Sequence, residues 1–120
     1  MSRIAEGFEA LRSRGLALPE AVEEFPWGHS ALKVRGKTFV FLNQSDEELS
    51  LSVKLPVSRD FALIFGWAEP TGYGLGRSGW VSGRFGPDDE PDLELLKRWL
   101  VESYKAVAPK KLGKLIGEEA

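Results

Sequence analysis

Apolar and polar residues alternate most regularly along residues 49–55, with leucine or valine at each odd position and serine or lysine between them. A period of two is typical of a strand with one buried face. Similar runs at 32–35 and 38–42 flank Gly36 and predict a hairpin. We also expect strands near 21–25, where the pattern is ambiguous, and at 80–85.

Apolar residues recur with helical spacing in other stretches. The spacing of Ile4, Phe8 and Leu11 predicts a helix over 3–14 that stops at Gly15. A second helix is expected from a Ser58 cap towards Gly66, the longest at 91–107 and a short closing one at 110–116. Hairpins between terminal helices predict an α+β fold, with one antiparallel sheet, helices packed on one of its faces, and the other face open.

Length and composition restrict the function. The 120 residues suit a single domain spanning 1–120, and the absence of cysteine excludes disulfides, thiolate zinc sites and cysteine nucleophiles. The single histidine, His29, has no second ligand nearby in the sequence and is interpreted as a turn residue that hydrogen-bonds the backbone. We therefore expect no catalytic residues, no metal site and no enzymatic activity.

Neither a secretory signal nor a membrane span is evident. The N-terminus lacks an apolar core segment, and no later apolar run approaches the ~20 residues that a spanning helix needs. The expectation is a cytoplasmic protein without membrane contact. A monomer is expected, and the sequence identifies no protein partner.

Glycines 74, 76 and 79 fit the dinucleotide-binding pattern Gly-x-Gly-x-x-Gly. That motif requires a helix N-terminus after the glycines, to receive the pyrophosphate. Here a strand-like Trp80-Val81-Ser82 follows, so we expect no nucleotide cofactor, and indeed no cofactor of any kind. The glycines are interpreted as a flexible connection into the last strand, with Tyr73 as its anchor.

Charge is unevenly distributed although the net charge is only −2. Residues 88–94 contain five acids, and residues 97–114 contain six bases against a single acid, Glu102. Acids at the start of a helix and bases at its end complement the helix dipole, which accounts for part of this pattern. The acids could also bind a divalent cation loosely, but solvated carboxylates at the start of a helix are the preferred interpretation.

The predicted open sheet face combines bases, hydroxyls and an aromatic residue. The alternation assigns to it Lys33, Arg35, Ser50, Ser52, Lys54, Trp80, Ser82 and Arg84. Apart from a possible Glu48, no acid is assigned to this face, and its chemistry matches that of nucleic-acid contact. Two alternatives remain: a solvated face on which the bases only maintain solubility, and a Trp80 packed under a loop.

Five short motifs in consistent order resemble the MmcQ/YjbR-like family over nearly the whole chain. They are Phe25-Pro26-Trp27-Gly28, residues 33–39, residues 51–54, Gly72-Tyr73-Gly74-Leu75 with Trp80-Val81, and Ser103-Tyr104 before Pro109-Lys110-Lys111-Leu112. The resemblance implies a small α+β protein with a frataxin-like (CyaY-like) sheet. It also implies DNA binding through a proposed double-wing motif, with no established catalytic activity.

The leading hypothesis is therefore a non-enzymatic DNA-binding protein of weak sequence specificity. Its candidate nucleic-acid-binding residues are Lys33, Arg35, Lys37, Lys54, Arg77, Trp80, Arg84, Lys110 and Lys111, with a further backbone contact from Lys114. The alternative is a protein- or small-ligand-binding module built on Trp27, Tyr73 and Trp80. A third possibility, metal handling through Asp88, Asp89, Glu90 and Asp92, rests on analogy between folds alone.

Overall fold

The computed structural model describes residues 3–25, 29–72 and 79–116. In these residues the helices are α1 (Arg3–Leu16), α2 (Arg59–Ala62), α3 (Leu93–Val107) and α4 (Lys110–Lys114). The strands are β1 (Val22–Glu24), β2 (Ser30–Val34), β3 (Lys37–Gln44), β4 (Leu49–Lys54), β5 (Ala68–Pro70) and β6 (Trp80–Phe85). Within the described residues they form one antiparallel sheet in the order β1-β2-β3-β4-β6-β5. The α+β prediction is confirmed, including the N-terminal helix and the long C-terminal helix.

The strand register confirms the alternation in residues 49–55. Leu51 of β4 lies between Leu42 of β3 and Gly83 of β6, and Val53 lies between Val40 and Val81. Since directly paired residues of antiparallel strands point to the same side, these apolar residues form one continuous face. This face is buried and forms the core beneath the helices.

Helix α3 has the amphipathic pattern that the sequence predicts. It begins after Asp92, whose carboxylate accepts a hydrogen bond from the backbone N–H of Leu95 at 3.1 Å. Its buried stripe includes Leu96, Leu100 and Tyr104, and each fully buried side chain of this size contributes roughly 2 kcal/mol. The helix therefore owes its position mainly to the sheet that it covers.

Helix α1 lies beside α3 on the same face and extends past the predicted stop at Gly15. A Cβ at Gly15 would lie 2.4 Å from Cδ1 of Leu32, so this glycine allows α1 to approach the sheet closely. The prediction that Gly15 ends the helix was wrong because the residue is needed for close packing rather than for a turn. The helix continues to Leu16.

The segment between β4 and β6 differs most from expectation. The predicted helix from Ser58 to Gly66 is a single turn, Arg59–Ala62, and the short strand β5 was not predicted. Two aromatic rings, Phe65 and Trp67, follow that turn, and a third, Trp99, lies on α3. Trp67 stacks on Phe65 with ring centroids 4.9 Å apart, and its centroid is 5.5 Å from that of Trp99. Packing of Phe65 and Trp67 towards α3 adds to the backbone hydrogen bonds of the segment, such as that from the N–H of Phe65 to the carbonyl oxygen of Ala62 at 3.2 Å.

Across the described ranges, none of the helices combines the length and the apolar character needed to cross a membrane.

Candidate nucleic-acid interface

At one end of the sheet, where strands start or finish, bases from distant parts of the chain lie near one another. In an antiparallel sheet the strand ends alternate, so β2 and β4 finish where β3 and β6 begin. Arg35 and Lys37 lie at this end in and after the β2–β3 turn, and Lys54 is the last residue of β4. Lys111 of α4 is close enough to Glu20, the ion-pair partner of Arg35, to lower its pKa. We define the basic end as Arg35, Lys37, Lys54, Lys110 and Lys111.

Arg35 reaches this end from a turn and not from the strand. β2 stops at Val34, and Arg35 and Gly36 have φ values of 51° and 81°, so they form the two central residues of a tight hairpin turn. The prediction that alternation puts Arg35 on the open sheet face was wrong, because alternation ends where the chain turns. Its guanidinium donates to both carboxylate oxygens of Glu20, at 2.6 and 3.0 Å.

The Glu20 carboxylate sits on a fixed backbone segment. The buried Tyr104 hydroxyl donates to the carbonyl oxygen of Pro19 at 2.6 Å, which ties this segment to α3. Burial raises the pKa of Tyr104, so the hydroxyl stays protonated and able to donate. Hydrogen bonds from Arg35, reinforced by the charges of Arg35 and Lys111, lower the pKa of Glu20. Glu20 is thus ionised at neutral pH and offsets part of the positive charge of the basic end.

The other bases at this end are less engaged. Among the described residues, Lys37, Lys54, Lys110 and Lys111 make no ion pair, and Lys37, Lys110 and Lys111 are exposed. Their ammonium groups are therefore available to an anion. Lys54 is held at its backbone, since its N–H donates to Oγ of Ser103 at 2.8 Å.

The open face of the sheet carries most of the residues that parity assigned to it. Ser50 pairs with Arg84, Ser52 with Ser82 and Lys54 with Trp80 across the β4–β6 ladder. The three serines are half-buried, and Ser52 and Ser82 place their hydroxyl oxygens 2.7 Å apart, with Thr71 Oγ1 2.9 Å from Ser82 Oγ. The hydroxyls of Ser52, Ser82 and Thr71 therefore already have hydrogen-bond partners within the protein.

The expectation that the open face carries no acid apart from a possible Glu48 was wrong. Glu24 pairs in register with Ala31 and Glu69 with Ser82, which puts both glutamates on this face. Glu24 forms an ion pair with Lys33 at 3.0 Å, and Glu69 forms one with Arg84 at 3.7 Å. Short edge strands bring these acids beside the predicted bases, so the open face is a mixed-charge surface.

Trp80 is on the open face but only 8% exposed. Its ring lies 5.7 Å from the ring of Phe41, centroid to centroid, in a tilted arrangement. Trp80 was expected either to be an exposed aromatic of the open face or to be packed. It is packed, because most of its apolar surface is covered. A tryptophan in this state offers little ring area for a stacked base.

Carboxylates concentrate at the opposite end of the sheet. The β3–β4 turn and the segment before α3 meet there, since a Cβ built on Gly86 would lie 4.0 Å from the carbonyl oxygen of Glu47. We define the acidic end as Asp46, Glu47, Glu48, Asp88, Asp89, Glu90, Asp92 and Glu94. Among these, Asp89 accepts from the N–H of Gly86 at 2.6 Å, and Glu90 forms an ion pair with Arg3 at 3.2 Å.

The side chains of the acidic end do not come together as a cluster of metal ligands. Within residues 3–25, 29–72 and 79–116, no group of three or more acidic or histidine side chains is placed to hold a metal ion. Asp92 instead caps α3, and Asp89 closes the Gly86 turn. His29 Nδ1 lies 2.9 Å from Oδ1 of Asn43, so its recorded partner is a side chain and not the predicted backbone group.

Several predicted residues fall outside the described ranges. They are Trp27, Tyr73, Gly74, Gly76 and Arg77.

The family model of YjbR matches residues 16–106, which is more than half of the chain. The chain belongs to the YjbR family. A solved structure with the same fold is the crystal structure of the Deinococcus radiodurans protein DR2400, described by the family-model domain DUF419. It is 27% identical, with a TM-score of 0.67, and the match covers 89% of this chain and 85% of that one. No curated protein matches the chain.

Membership of the YjbR family confirms the resemblance that the five sequence motifs indicated. The match includes the β2–β3 turn and β4, and it ends before α4. The basic end therefore combines residues inside the matched range, Arg35, Lys37 and Lys54, with two lysines beyond it.

Proposed function

We propose that this YjbR-family protein binds DNA without catalysis, and that it holds the phosphate backbone at the basic end. The supporting observation is that Arg35, Lys37 and Lys54 lie at the same end of the sheet, where Lys111 of α4 comes close to Glu20, the ion-pair partner of Arg35. The carboxylates of the acidic end lie at the opposite end of the sheet. A molecule with a net charge of −2 can attract a polyanion if its charge is segregated in this way, because the local field governs approach.

The expected recognition is of shape and charge, with little base readout. Lysine ammonium groups act as point charges on phosphate oxygens, which position a protein but carry no sequence information. The longest helix described, α3, buries its apolar stripe against the sheet, so the proposal does not use it as a recognition helix. The tight turn at Arg35 and Gly36 is narrow enough to follow a groove, and only Arg35 in it carries a side chain suited to a base edge.

Salt-dependent binding to a labelled duplex of about 20 base pairs tests the proposal. Each phosphate contact contributes about 0.9 to the slope of log K against log salt, so losing three contacts lowers the slope by about 2.7. The triple variant Lys37→Ala/Lys110→Ala/Lys111→Ala is expected to show this loss. Fluorescence anisotropy at several NaCl concentrations gives the slopes.

Two matched variants locate the interface. Lys33→Ala/Arg84→Ala removes bases of the open face that are paired with Glu24 and Glu69, and we expect it to change the slope by less than the triple variant does. Lys97→Ala removes a base that is paired with Glu94 of the acidic end, and it serves as the charge control. Wild-type protein that shows no binding at low salt contradicts the proposal. An equal loss in the open-face variant moves the site to that face.

The alternative module built on Trp27, Tyr73 and Trp80 gains less support. Trp80 is packed against Phe41, and the other two residues are outside the described ranges. Exposed apolar side chains occur elsewhere, around α2.

A further inference from the structure

Three large apolar side chains are exposed within the short stretch 57–64. Val57 is 85% exposed, Phe61 53% and Ile64 78%. Scattered single apolar residues are ordinary on protein surfaces, but a contiguous group commonly marks an interaction site. This group lies on and around the single helical turn α2.

A groove of about 490 Å³ separates this stretch from α3. Its apolar walls come from Val57 and Phe61 on one side and from Leu95 and Trp99 on the other. We call it the α2–α3 groove. Its volume falls within the range of about 300–1,000 Å³ that is usual for ligand pockets.

The groove is held open by interactions within the protein. Oε2 of Glu102 accepts from the N–H groups of Val57 and Ser58 at 3.0 and 2.9 Å, and Oε1 accepts from Ser58 Oγ at 2.6 Å. Phe61 packs edge-on against Phe65 with centroids 5.3 Å apart. The walls are therefore preorganised, which lowers the entropic cost of binding a partner.

The charges at the groove favour an acidic partner. Two basic side chains, Arg98 and Lys105, line it against one acid, Glu102, whose carboxylate accepts hydrogen bonds from the loop. Arg98 lines the same groove, is exposed, and makes no ion pair with any described residue. A symmetric dimer through this surface would bring the Arg98 side chains of both copies into one interface, and like charges in an interface are costly.

We propose that the α2–α3 groove binds an amphipathic helix of another protein, one with acidic residues beside its apolar stripe. One wall is α3 and the other is the turn at 56–58 with α2, so an added strand would find no sheet edge there, whereas a helix can insert residues spaced i, i+3 and i+4. Arg98 is the counter-charge for the acidic flank. The residues concerned are distinct from the basic end.

Selection from a library of displayed random peptides of about 16 residues, long enough for four helical turns, tests the proposal. Wild-type protein is the bait, and Phe61→Ala protein is used in a parallel selection. We expect enriched peptides to combine apolar residues at helical spacing with Asp or Glu. The affinity of a synthesised winner is expected to fall about 30-fold on Phe61→Ala, as for a buried aromatic anchor.

Three further variants make the result specific. Val57→Ser changes a side chain that is exposed and outside the core, so we expect this variant to fold and melt like the wild type. Leu115→Ser, at a similarly exposed leucine elsewhere, is the matched control and should leave the affinity unchanged. Arg98→Glu should weaken the acidic peptide and, as bait, enrich peptides carrying Lys or Arg.

Several outcomes would overturn the proposal. One is enrichment by wild-type protein no greater than by the Phe61→Ala bait, and another is enriched peptides that lack acids and ignore Arg98→Glu. A dimer in sedimentation that Val57→Ser dissociates would assign the groove to a second copy. Unchanged salt-dependent DNA binding in Val57→Ser keeps this test separate from that of the basic end.

Discussion

Replacing Ser103 by alanine removes one hydroxyl that serves two strands. Ser103 is fully buried on α3, and its Oγ accepts from the N–H of Lys54 on β4 at 2.8 Å. The same hydroxyl donates to the carbonyl oxygen of Phe39 on β3. The Ser103 hydroxyl therefore joins α3 to both strands at the end of the sheet where the basic end lies.

The expected cost follows from the two groups that lose their partner. A buried polar group without a hydrogen bond costs about 1–3 kcal/mol, and the small gap left by the oxygen allows only partial relaxation. We therefore expect Ser103→Ala to lower the free energy of unfolding by about 2–4 kcal/mol. For a chain of this length, each kcal/mol corresponds to about 4 °C, so Tm should fall by about 8–16 °C.

Urea denaturation followed by tryptophan fluorescence measures the loss, and Ser82→Ala is the matched control. Ser82 bonds the hydroxyls of Ser52 and Thr71 on the open face, where water can replace it, so this control should cost less than about 1 kcal/mol. If both variants unfold at the same urea concentration, with equal slopes, the reasoning from burial is refuted.

Three other variants test separate interactions. The guanidinium of Arg12 donates a hydrogen bond to Glu23 and lowers the pKa of that carboxyl in the folded protein. The pair therefore stabilises the fold above the pKa that Glu23 has in the unfolded chain, and this stabilisation is lost as the pH falls through the lower pKa of the folded state. Glu23→Gln should therefore cost roughly 1–2 kcal/mol at pH 7 and less at pH 3 in urea melts, and an equal loss at both would contradict this. Glu102→Gln should speed hydrogen exchange of the Ser58 amide, while an unchanged rate would show that its carboxylate does not hold the loop. Gly36→Ala should cost about 1 kcal/mol because φ is 81°, whereas Gly66→Ala, in open space, should cost less, with equal melts arguing against strain.

Local pattern was sufficient for the long elements. The alternation in 49–55 and the helical spacing in 91–107 are each strong enough to fix the type of element and its buried face, and both were confirmed. β5 has only three residues, one of them Pro70, so it contains no period to detect. It forms because β6 offers an edge with which it can pair, and that is a tertiary cause invisible to a local pattern.

Pairings between distant residues limited the prediction of the site. Nothing local indicates that Glu24 meets Lys33 or that Glu69 meets Arg84, since each pair depends on how a short edge strand registers. Arg35 is different, because an available signal was not used. A residue directly before a turn glycine is a natural member of a two-residue hairpin turn, which takes it out of the strand alternation.

Helix electrostatics explain the two ends of the molecule unequally. At the acidic end Asp92 caps α3, as the dipole favours. At the other end, Lys105 occupies the last turn of α3, where its charge complements the dipole, and Lys111 and Lys114 fall in the last turn of the five-residue helix α4, which Lys110 begins. Dipole complementarity therefore does not account for Lys110. Lys37, Lys110 and Lys111 are exposed and make no ion pair with the described residues, so the triple variant of the basic end should lose the proposed DNA affinity with little loss of stability.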